Sequence, residues 1–168
     1  ELWAGFKKEG DDSARFHVWI YSQNFRNYMY PQNNMDSEFE TWRFHKQFGV
    51  STGFSQHVSG NANNPGFSAL KLYLQSKAMI DVNSSYPYYL NKFFKHYYGV
   101  VADEMLDYYD EVMSYRRYIE EELNASGSTQ ADQLGNAEYW PQGLLQQWWN
   151  TLENLLAVRA LRKAAPAE

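Results

Sequence analysis

The sequence predicts an α/β fold, a strand–helix–strand unit followed by a helical region. Three observations carry this. Phe16 to Phe25, FHVWIYSQNF, reads as the clearest buried strand and turns polar at its carboxyl end, with Phe16, Val18 and Ile20 on one face and His17, Trp19 and Tyr21 on the other. A strand bulky on both faces is expected to be covered on both, the habit of parallel sheets flanked by helices. Val50 to Gln56, VSTGFSQ, reads as a second strand, with a helix-period segment between the two. Farther on, Val101 to Leu123 places Met105, Tyr108, Tyr109, Val112, Tyr115, Ile119 and Leu123 at spacings of three and four, the mark of a long amphipathic helix.

Composition narrows the class. With 168 residues, 44% hydrophobic and 18% aromatic, the chain can build one core and is not disordered. The net charge of -5 and the lack of a Lys/Arg cluster argue against nucleic acid as a partner. No apolar run reaches the roughly 20 residues that a membrane span requires. The absence of cysteine excludes disulfides and thiolate chemistry and leaves the compartment open. The chain also reads as a fragment. It opens at Glu1 within an apparent helix carrying Leu2, Trp3 and Phe6, and two parallel strands alone leave open edges and an uncovered face.

In chain order, Glu9 to Ser13 is a turn cluster before the first strand, and Arg26 to Met35 is a long Asn-, Tyr- and Pro-containing connection. Ser37 and Glu40 form a capping-box pattern that predicts a helix start; Phe39, Trp42 and Phe48 mark its apolar stripe and Gly49 its stop. Asn64-Pro65 predicts the next helix start, with Leu70, Leu74 and Lys77 near one face and Tyr73 and Ile80 close by. Ser85, with Pro87 in the first turn, caps a third helix that carries Tyr89, Leu90, Phe93, Phe94, Tyr97 and Tyr98 before Gly99. The acidic run Asp103, Glu104, Asp107, Asp110 and Glu111 suits a solvated face near a helix N-terminus. Pro141 opens a last helix with Leu145, Trp148, Trp149, Leu152, Leu155, Leu156 and Val158 on its apolar side. The predicted divisions are residues 1–99 for the strand–helix units, 100–123 for a flanking helix, 124–139 for a linker and 140–168 for the C-terminal helix.

No Gly-rich phosphate loop, GxSxG elbow or HExxH helix is present, so neither a cofactor nor a metal is expected. His17, His45, His57 and His96 lack metal-ligand spacing. In a strand–helix–strand unit a ligand meets the carboxyl ends of the strands, which here read Ser22-Gln23-Asn24 and Ser55-Gln56-His57. The candidate substrate-binding residues are therefore Tyr21, Gln23, Asn24, Phe25, Gln56 and His57. Aromatic rings suit the apolar face of a pyranose and amides suit paired hydroxyls, so a carbohydrate ligand is expected. The same residues would equally close a strand and cap a loop. Trp140, Trp148 and Trp149 could stack on sugar too, but at helical spacing they read as core. Neither strand end offers a carboxylate, so no catalytic residue is assigned in this chain.

The segments VWIYSQNFRNYMYPQNN, FHKQFGVSTGFSQH, ALKLYLQSKAMID and LNKFFKHYYGVVADEMLDYYDEVM, in that order, resemble the later part of the bacterial family called domain of unknown function 4838. The likeness runs from Leu2 to about Leu123. Members of that family look like glycoside-hydrolase barrels related to α-glucuronidases and β-hexosaminidases. The resemblance implies that Phe16 to Tyr21 and Val50 to Phe54 are the last two strands of a TIM-type (β/α)8 barrel, with the helices from Phe67 onward closing and flanking it. It further implies catalytic acids on earlier strands outside this chain, the remainder of the parent barrel as a partner, and a periplasmic or extracellular location. Where the family often carries an acid beside the Gln of the last strand end, this chain has Ser55 before Gln56. On this reading the chain supplies substrate-holding loops and does not act alone. Two alternatives stay open: a non-catalytic carbohydrate-binding or scaffold module, and a helical interaction domain with a two-stranded appendage.

Overall fold

A computed structural model describes residues 15–22, 24, 31–32, 34–56, 67–125 and 136–164. The strands are β1 (Phe16–Tyr21) and β2 (Val50–Gln56), and the α-helices are α1 (Met35–Gln47), α2 (Ser68–Ile80), α3 (Tyr86–Tyr97), α4 (Ala102–Glu121) and α5 (Gln142–Ala164). Short 3-10 turns at Gly99–Val101 and Ala137–Tyr139 lead into α4 and α5. β1 and β2 pair in parallel, with Trp19 beside Phe54 and Tyr21 beside Gln56, and among the described residues they are the whole sheet.

Helices cover one face of this sheet. Val18 is buried and Ile20 packs on the core, whereas Trp19, Tyr21 and Phe54 on the opposite face are 57%, 49% and 47% exposed. The expectation of cover on both faces is thus corrected among the described residues. Alternation alone could not distinguish the faces, because both carry large apolar side chains. The (β/α)8 assignment is not established by this two-stranded α/β arrangement.

Each helix packs on its neighbour in sequence, α1 on α2, α2 on α3, α3 on α4 and α4 on α5. Phe39, Leu70, Leu74, Phe94, Met105 and Tyr109 meet in one core. Gly53 lets α1 approach β2 closely: a Cβ there would stand 2.6 Å from Cζ3 of Trp42 and nearer still to Cη2. Arg43 then fastens α1 to the turn between α2 and α3, donating from Nε to Val82 O at 2.8 Å and from Nη2 to Ser84 O at 2.9 Å.

Helix starts differ from the predicted caps. α1 begins at Met35 after Asn34, and Ser37 Oγ donates to Asn34 O at 3.0 Å while Glu40 pairs with Arg43, so the capping box does not form. α2 begins at Ser68 behind Phe67, whose φ of 59° is left-handed; the start predicted at Asn64-Pro65 lies outside the described residues. Ser85 does cap α3, accepting from Tyr88 N at 3.4 Å. In α4 the expected buried positions Met105, Tyr109, Val112 and Ile119 are buried, but Leu123 lies beyond the helix and is exposed. In α5 only Trp148 is buried, and Leu145, Trp149 and Leu156 of the expected stripe are exposed.

Candidate functional site

The parallel register brings the two strand ends together. On the open face, His17, Trp19 and Tyr21 of β1 stand beside Thr52, Phe54 and Gln56 of β2. Trp19 Nε1 donates to Gln56 Oε1 at 3.1 Å, and its ring meets Phe54 edge-on at 4.8 Å and Tyr21 at 6.3 Å. His17 Nδ1 lies 3.0 Å from Thr52 Oγ1. The result is an aromatic surface with an amide at its carboxyl-end rim. With its oxygen held by Trp19, Gln56 presents its NH2 group as donor. Among its described residues this face offers stacking area and polar contacts but no carboxylate.

Tyr21 and Gln56 are the predicted site residues that the structure brings together on this face. Asn24 is only 1% exposed and lies in the interior instead. Gln23, Phe25 and His57 fall outside the described residues. Trp19 and Phe54, read only as strand residues, contribute most of the exposed aromatic surface.

Behind the strand ends, on the helix-covered face, lies a buried polar cluster that the sequence reading missed. Gln75 of α2 bridges both strands: its Nε2 donates to Ser22 Oγ, and its Oε1 accepts from Ser55 Oγ at 2.6 Å. The two serine hydroxyls stand 3.3 Å apart. Lys71, one helical turn before Gln75, donates from Nζ to Ser22 O at 3.0 Å. Glu38, in the first turn of α1, is buried beside them.

Electrostatics follow from this burial. Loss of water raises the Glu38 carboxyl to about 7, against the opposing pull of Gln75, Ser22 and the Lys71 charge. Loss of water also lowers Lys71 to about 8, with Glu38 pulling it back up. Shifted groups beside a strand end invite a catalytic reading. Their burial argues against it, since a substrate on the open face would not reach them. They instead fix where Ser22 and Ser55, and so the strand ends, sit relative to α1 and α2.

Among the described residues no group of three His, Asp or Glu could hold a metal ion, and no helix is long and apolar enough to cross a membrane. No curated protein and no solved structure matches the chain. A family model described as "Domain of unknown function (DUF4838)" matches residues 10–111, which span β1, β2, the polar cluster and the first half of α4. By that match over more than half of its length, the chain belongs to the domain of unknown function 4838 family.

Proposed function

We propose that this chain is the C-terminal part of a glycoside-hydrolase-like protein and that its strand ends hold a carbohydrate. The observation that carries the reading is the parallel pairing of Tyr21 with Gln56 at the rim of an uncovered aromatic sheet face. Tyr21 and Trp19 offer ring faces to the apolar side of a pyranose, and Gln56 offers amide donors to its hydroxyls. Further strands of a parent barrel would cover the rest of that face and pair the open edges, which otherwise recruit other strands. Glycosidic cleavage normally needs two carboxyl groups, and the open face has none among its described residues. The acids would then come from upstream strands, and Tyr21 and Gln56 would orient the sugar for them.

The lack of a carboxylate on this face also favours a second reading, in which the face binds glycan without cleaving it. Affinity electrophoresis of the parent protein through gels containing xylan, pectin or soluble chitosan tests the shared binding step. Retardation by at least one polysaccharide is expected, with Tyr21→Ala and Gln56→Ala each reducing it. Absence of retardation across the panel, or retardation that neither substitution changes, would refute carbohydrate binding at the strand ends. Release of reducing ends from the retarding polysaccharide separates the two readings. In a cleaving parent, the same substitutions should raise KM and lower kcat modestly, without the near-total loss that removal of an acid produces.

A further inference from the structure

A cavity lies away from the strand ends. It opens between α4 and α5, has a volume of about 760 Å³, and is walled by Met105 and Val112 of α4, Leu152 and Leu155 of α5, and Trp140 and Trp149. That size is in the range of small-molecule pockets. Trp148 presents only its ring, because its Nε1 donates to Glu111 Oε1 at 2.9 Å.

Polar groups line the cavity at Arg159, Tyr98 and Tyr108. The Nε of Arg159 is shielded from solvent and has no hydrogen-bond partner among the described residues. Burial raises the Tyr98 phenol above its ordinary value, the neighbouring Tyr97 and Tyr108 reinforce the rise, and the nearby Arg159 charge opposes it. No acid lines the cavity among the described residues; Glu104 pairs with Arg162 at 2.7 Å and Glu111 accepts from Trp148 Nε1. Arg159 is the one charged residue lining the cavity among the described residues, and its unpartnered Nε suits an anion that can accept from it. The rest of the wall is apolar, Met105, Val112, Leu152 and Leu155 together with the rings of Trp140, Trp148 and Trp149, which suits a long apolar body.

We propose that the cavity between α4 and α5 binds an amphiphile, its carboxylate against Arg159, Tyr98 and Tyr108 and its apolar body along Met105, Val112 and Leu152. This site is independent of carbohydrate binding and stands or falls separately. The test titrates the full chain with dodecanoate, dodecanol and dodecyltrimethylammonium below their aggregation thresholds, read by the fluorescence of Trp140, Trp148 and Trp149. Saturable binding of dodecanoate is expected, about tenfold or more tighter than of the ammonium. Arg159→Gln should weaken dodecanoate by about tenfold, the scale of one lost charge-assisted hydrogen bond, and leave dodecanol unchanged. Should Arg159→Gln lose its helical circular dichroism, the double substitution Tyr98→Phe and Tyr108→Phe serves in its place, with the same selective loss expected. No saturable binding, or equal binding of all three chains unaffected by these substitutions, overturns the proposal. A dimer that Trp149→Ala dissociates would assign the cavity to a second copy and overturn it as well.

Discussion

Replacing Glu38 with Gln tests the buried cluster directly, because it keeps the side chain's size and removes its titration. In the folded chain the Glu38 carboxyl is raised from 4.5 to about 7 by loss of water. The folded state therefore binds more protons than the unfolded state between those values, and stability falls as pH rises from about 4.5 to about 7. A shift of this size corresponds to about 3 kcal/mol of lost stability across the window. Lys71 acts in the opposite direction at higher pH. Lowered from 10.5 to about 8, it leaves the unfolded state holding the extra proton, so stability recovers as pH rises from about 8 to about 10.5. The pair thus places a trough in the stability curve between about pH 7 and 8.

Urea denaturation of wild type and Glu38→Gln at half-unit steps from pH 4 to 10 isolates this contribution, since unrelated groups cancel in the difference. The wild type should lose stability relative to the variant by about 3 kcal/mol between pH 4.5 and 7, equivalent to roughly 6–12 °C in melting temperature for a domain of this size. Without the Glu38 charge nothing pulls the Lys71 pKa upward, so the recovery on the alkaline side should begin at lower pH in the variant. Parallel curves for the two proteins would refute the argument. So would a wild type that gains stability over Glu38→Gln from pH 5 to 7, which would mean that Glu38 is held as a carboxylate.

Packing gives further predictions. Gly53→Ala should cost about 1–3 kcal/mol by overlap with the Trp42 ring, and a Trp42→Phe background should cancel much of that cost because it removes the colliding atoms; additive effects in thermal melts would show that no collision occurs. Val112→Asp should destabilise by about 4 kcal/mol or more, while Asp107→Lys on the exposed side of α4 stays within about 0.5 kcal/mol; similar losses from both would mean that the faces of α4 are misassigned. Glu111→Lys, at a position whose acidic run suggests only a solvated face, should cost about 1–2 kcal/mol in urea denaturation because it removes the acceptor of Trp148 Nε1, and an unchanged midpoint would deny that bond a role.

The strands and the helical order were legible because side-chain period reports burial directly. β2 runs over the expected Val50–Gln56, β1 ends at Tyr21 where the stretch turns polar, and Met105, Tyr109, Val112 and Ile119 form the buried side of α4 as their spacing requires. The cap at Ser85 was legible because its acceptor lies within the local chain. The box at Ser37 was not, since Glu40 has a better partner in Arg43, a charge one turn away that the motif does not consider. Tertiary demands also decide which apolar residues stay exposed. Trp19, Phe54, Trp149 and Leu156 have the composition of core, and only the placement of neighbouring elements shows that nothing described covers them.

The polar cluster marks the deeper limit and indicates how it could be passed. Lys71 and Gln75 lie one position beyond Leu70 and Leu74, at the border of the apolar stripe where periodicity cannot separate rim from interior. Strand alternation does contain the missing information. It sets Ser22 on the same side as Val18 and Ile20, which commits its hydroxyl to the covered face. Buried polar groups there require partners, and on that side β2 brings Ser55 beside Ser22, while Ser51 lies exposed at the far end of the strand. The covering helix must therefore present donors and acceptors one turn apart, a demand that Lys71 and Gln75 meet and that Leu70 and Leu74 cannot. Glu38 then follows from charge, because a lysine buried to 4% exposure needs an acid within reach, and the first turn of α1 supplies it.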